Sequence, residues 1–176
     1  MKFMTFSVIL LLFSILNVYP QYLEPEDIDI FINKSRELGN YVAEKARTKM
    51  EYVKYMTDVY MLLSVFLITI SQETLSDEEL SRNKNIFNNF LNTEIEEDYE
   101  AAFREAGWEN NGHQKYWTIY FGVYSIIIYN RIQDSYRDQG IEKHMIEQYY
   151  RIIEFIYKED FEIINSRIED IANNIR

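Results

Sequence analysis

The 176-residue sequence predicts an all-α fold. The expected form is a single-domain bundle of about five helices, with a long N-terminal helix and two central, nearly all-apolar helices. Three observations point there. Helix breakers are scarce, with five glycines and two prolines, and both prolines (Pro20 and Pro25) precede residue 26. Apolar residues recur at steps of three and four, the spacing of one helix face. Helix start and stop signals stand at the ends of those periodic stretches.

The N-terminal 1–20 segment has the pattern of a secretory signal. Lys2 supplies the positive end, and 6–16 (FSVILLLFSIL) is an apolar core shorter than the roughly 20 residues a membrane span needs. The helical domain is expected over 21–176. Extracellular location and no stable membrane span after signal removal follow from that division. Asn33-Lys34-Ser35 is a glycosylation sequon, which puts Asn33 forward as an acceptor in a secreted chain.

The first helix is expected to start near Glu26, where Pro25 and the acids Glu26, Asp27 and Asp29 suit a helix N-terminus. Its apolar face runs Leu38, Val42, Ala46, Val53, Met56, Tyr60, Leu63, Leu67, Ile70, with Lys49 interrupting and a kink expected at Gly39-Asn40. Ser76 and Glu79 form a capping box, with Leu80, Phe87, Phe90 and Leu91 as the inner side of the next helix. Thr93 and Glu96 suggest a second box, and Gly107 a helix end. A loop at 109–112 then leads to a long helix from about His113 to Arg137. Residues 141–175 continue the periodicity, with a break expected near Asp160.

The runs 59–70 and 116–129 are rich in β-formers, but neither has turn chemistry at its ends. As helices they are apolar on nearly every side. They are too short to cross a bilayer and belong side by side at the centre of a bundle. Gly122 and Ser125 would let backbones approach closely there.

Composition removes several function classes. A net charge of −11 disfavours nucleic acid and anionic membrane surfaces. The absence of cysteine removes disulfides, thiolate catalysis and cysteine-ligated zinc. No serine sits in a nucleophile elbow, and no glycine-rich phosphate loop is present. His113 is expected to be a solvated side chain. His144 and Glu147 share a helix face but lack the paired Glu-x-x-His pattern of di-iron bundles, so they are expected to form a surface contact. Glu94, Glu96, Glu97, Asp98 and Glu100 lack calcium-loop spacing and suit a helix N-terminus. No catalytic residue, cofactor or metal site is expected.

The unusual feature is aromatic: 15 tyrosines and 11 phenylalanines. A tyrosine core is costly unless each hydroxyl finds a partner. Trp117, Tyr120, Phe121 and Tyr124, facing Tyr60 and Phe66 of the first helix, are the candidate lining of a cavity between helices. Two functions are therefore expected. One is a secreted, non-catalytic protein that binds an extracellular protein partner. The alternative is a carrier of a small hydrophobic or aromatic/cationic ligand. A bundle that opens onto lipid would need cleanly two-faced helices, which these central runs are not.

Overall fold

The computed structural model describes residues 23–71, 76–136, 156 and 158–174, leaving aside the side chains of 66–71 and 128–136. The expected signal, the expected end of the long helix at Arg137 and the His144–Glu147 pair lie outside the described residues. Seven helices and no strand occur among the described residues: α1 (Pro25–Lys45), α2 (Met50–Ser71), α3 (Asp77–Leu91), α4 (Glu97–Ala106), α5 (Gly112–Tyr136), α6 (Lys158–Ser166) and α7 (Ile168–Asn174). None of them is long and apolar enough to cross a membrane.

α5 occupies the middle and touches α1, α3, α4, α6 and α7. Its residues Tyr116, Trp117, Ile119, Phe121, Val123, Ser125 and Ile126 are all buried, and they point to every side of the helix. Gly122 lies where α6 crosses, and a Cβ added to it would stand 2.5 Å from Ile164 Cδ1. The glycine therefore lets the Ile164 side chain of α6 pack close against the α5 backbone. Ser125 turns its hydroxyl back onto the Phe121 carbonyl (2.7 Å), which satisfies a polar group in the core.

α1 begins as its sequence suggests. Asp27 is buried, accepts from the Glu24 backbone N–H (2.8 Å) and pairs with Lys115 of α5 (2.9 Å). Ser76 and Glu79 form their capping box. Gly107, at φ 114°, ends α4 in the left-handed conformation, with Trp108 N–H bonded back to the Phe103 carbonyl (3.0 Å).

Three local expectations are corrected and one is met. The first helix runs straight through Gly39-Asn40 and stops instead at Ala46–Lys49. There Thr48 Oγ1 takes the Lys45 carbonyl (3.2 Å), and Lys45 and Lys49 both turn to one carboxylate, Asp98. Thr93 does not cap α4, because its hydroxyl reaches back to the Asn89 carbonyl at the end of α3 (3.0 Å); the residue ahead of α4 is Glu96. The break expected near Asp160 is met by a bend at Ile156 and a helix start at Lys158, and a second one at Arg167 separates α6 from α7. His113 is buried (6 % exposed) rather than solvated, because its ring sits among those of Tyr55, Phe90 and Phe103.

Over its described side chains, residues 50–65, α2 is two-faced rather than buried all round. Tyr52, Val59 and Leu62 are buried, whereas Met50, Val53, Tyr60 and Met61 are exposed. The exposed four fall at helical spacing along one outer side.

Candidate functional site

The centre of interest is where α2, α4 and the start of α5 meet. Tyr52 and Tyr55, one turn apart on the inner side of α2, converge on Tyr99 of α4. The Tyr55–Tyr99 rings are edge-on at 5.3 Å and the Tyr52–Tyr99 rings at 5.9 Å. Such tilted pairs match the negative face of one ring to the positive edge of the next.

The hydroxyls are satisfied by one another. Tyr55 Oη accepts from Trp117 Nε1 and from the Tyr99 hydroxyl. Its remaining proton points to His113 Nε2 (3.0 Å), and His113 gives its other N–H to the Leu91 carbonyl. This assigns the neutral Nδ1–H tautomer to His113. Burial lowers its pKa to about 4, with the Leu91 bond opposing the shift. Burial likewise pushes the hydroxyls of Tyr52, Tyr55, Tyr99 and Tyr116 well above the ordinary tyrosine value.

Beside this cluster Asp98 gathers three groups: Lys49 (2.7 Å), Tyr52 Oη (2.7 Å) and Lys45 (3.2 Å). Lys49, and next the Tyr52 hydroxyl, hold its carboxyl well below the usual range. The two lysines also lie near the rings of Tyr41 (5.1 Å) and Tyr52 (5.8 Å).

Two cavities flank the cluster. One, of about 190 Å³, lies between α2 and the loop leading into α4. Its floor is made of Tyr52, Tyr55, Tyr99 and Ile95, and its rim of Glu51, Asp58, Glu94, Glu96 and Lys54. The other, about 340 Å³, lies between α4 and the start of α5 and is lined mainly by polar groups, with Trp108 at its wall. Trp108 Nε1 is buried with no hydrogen-bond partner among the described residues. No cluster of three or more His, Asp or Glu side chains suited to a metal occurs among the described residues.

The six residues proposed from sequence divide. Trp117 and Phe121 are buried and pack ring against ring (5.9 Å), with Phe87 closing on Phe121 (5.2 Å). Tyr120 and Tyr124 are half-buried; burial first, then Tyr124 and Tyr60, raises the Tyr120 hydroxyl. Tyr60 itself is 62 % exposed. Phe66's side chain lies outside the described residues. Neither described cavity is lined by these six. Asn33 is exposed on α1.

Sequence reasoning missed the roles of His113, Asp98 and Tyr99. The one signal available was the spacing of Tyr52 and Tyr55, which puts two hydroxyls on the inner side of α2. Comparison of the chain with protein-family models, curated proteins and solved structures gave no match.

Proposed function

We propose that this is a secreted, non-catalytic helical protein that acts outside the cell by binding a protein partner. The supporting observation is the outer side of α2, where Met50, Val53, Tyr60 and Met61 are 75, 42, 62 and 61 % exposed. Scattered single apolar residues are ordinary on a surface, but four along one helix side form a stripe of the kind that fits an apolar groove. Methionine and tyrosine suit such contacts, because one adapts its shape and the other brings a large ring with a polar tip. Glu51 and Asp58 border the stripe on a chain of net charge −11, so the complementary groove is edged by basic side chains.

Location outside the cell rests on the 1–20 segment as a secretory signal. The non-catalytic assignment is supported by chemistry: His113, the histidine among the described residues, is held neutral within a closed hydrogen-bond set rather than beside a nucleophile.

A photo-crosslinking residue at position 61, with a control at Glu105 on α4, tests the proposal. The expected result is an adduct to a partner protein from position 61 only. The purified partner then loses at least tenfold in affinity on Met61→Glu, with helix content unchanged. Adducts to other copies of this chain alone, or equal adducts from both positions, would contradict it.

A further inference from the structure

We propose that Asp160, a buried carboxylate on α6, receives the α-ammonium group created when the 1–20 segment is removed; this rests on reading that segment as a secretory signal. Leu23 carries the observation. It is 3 % exposed, and its backbone N–H donates to Asp160 Oδ1 (2.5 Å) across 137 residues of sequence. Asp160 is itself 2 % exposed and stands in the first turn of α6. The chain entering α1 is thus tied to α6 only two residues after residue 21, the expected start of the processed protein.

Charge at this point is unbalanced. Asp27 of α1 and Asp160 are both buried, and Lys115 of α5 is the cation that acts on both. Lys115 lies on both oxygens of Asp27 (3.0 and 2.9 Å), whereas Asp160 holds a neutral N–H and has no ion pair with a described residue. Glu159, beside it, adds further negative charge. A buried carboxylate without a cation is costly, and burial raises the Asp160 pKa while the Leu23 N–H opposes the shift. Its second oxygen has no partner among the described residues and is not sealed from solvent. The amino terminus supplies the missing charge. Two residues extend at most roughly 7 Å, so an amine at residue 21, 22 or 23 stays close to the carboxylate that already holds Leu23. Cleavage replaces a neutral peptide N–H with an ammonium, and charged donors make the stronger hydrogen bonds to a carboxylate. Processing thereby completes the charge balance where α1, α5 and α6 begin.

The test uses protein secreted by a eukaryotic host that expresses the full chain. N-terminal sequencing and mass spectrometry are expected to find a free amine at residue 21, 22 or 23. That amine is then dimethylated with an isotope label and titrated by NMR. It is expected to titrate at least about one pH unit above the ordinary α-amino value of about 8, and to return to that value in Asp160→Asn. Asparagine keeps an acceptor for the Leu23 N–H and removes only the charge, so helix content is expected to be unchanged. A second variant leaves Asp160 in place and inserts a short Gly/Ser spacer before residue 21; its displaced amine is also expected to titrate at the ordinary value. Retention of 1–20, or failure to secrete, would overturn this proposal together with the secretory reading. A start outside 21–23, a blocked amine, an ordinary amine pKa in the parent, or a raised one that persists in either variant would overturn this proposal alone.

Discussion

Tyr55 Oη accepts two hydrogen bonds and donates one, the full capacity of a hydroxyl. Tyr55→Phe keeps the ring but leaves Trp117 Nε1–H, the Tyr99 hydroxyl and His113 Nε2 without their partner. Stranding buried polar groups costs about 1–3 kcal/mol each before relaxation, so a loss of about 3 kcal/mol is expected in urea unfolding. His113 sets a pH window. Its folded pKa of about 4 lies below the ordinary 6.5, so the unfolded chain binds the extra proton first. Stability from this group is complete above pH 6.5 and falls by roughly 3 kcal/mol as pH drops through 4. Comparing His113→Gln with the parent between pH 7 and 4 isolates that loss, because the variant lacks the titrating ring. Asp98 has the same direction by a different cause. Its carboxyl is depressed by Lys49 and Tyr52, so its stabilisation persists above the ordinary carboxylate pKa and disappears as pH falls through the lower folded value. Asp98→Asn is expected to lower Tm at pH 7, with the gap to the parent closing in acid. None of these roles is visible in local sequence, because the partners are remote: Tyr55 and His113 are 58 residues apart, and Tyr52 and Asp98 are 46 apart. A histidine after a polar Asn-Asn-Gly loop looks solvated until the rings around it are placed.

Helices are where the sequence was most informative. Periodicity, the Ser76–Glu79 box and Gly107 are local signals, and each describes a local hydrogen-bond problem that the chain solves locally. The errors came where a side chain had a competing use. Gly39-Asn40 is a weak breaker with open space around it, so the helix continues, whereas Thr48 and the two lysines are drawn elsewhere and α1 stops. Thr93 resembles an N-cap, but the end of α3 uses its hydroxyl first. Gly122 was flagged for close approach, and the structure supplies the neighbour. Gly122→Ala gains roughly 1 kcal/mol of helix propensity but overpacks against Ile164 at a cost of about 1–3 kcal/mol. A net loss of about 1 kcal/mol is expected. Ile164→Val removes the clashing Cδ1, so the double variant should be less destabilised than the two single effects summed, a coupling readable in a double-mutant cycle.

At the scale of the molecule, the tyrosines of the described core have a structural use. The rings around Trp117 and Phe121 close on one another, and the hydroxyls of Tyr52, Tyr55 and Tyr99 become structural partners between α2, α4 and α5. Composition foretold that such hydroxyls need partners, but only assembly shows which ones they find. That assembly leaves the outer stripe of α2 facing solvent. The stripe's position depends on α2 being held by its inner tyrosines. The most direct check is a spectrophotometric titration of the tyrosines followed to pH 11, with far-UV circular dichroism recorded alongside. While helix content is unchanged, a class of buried tyrosines that includes Tyr52, Tyr55, Tyr99 and Tyr116 should stay protonated. Ionisation of all 15 tyrosines in one step near pH 10, with the helices intact, would contradict the account.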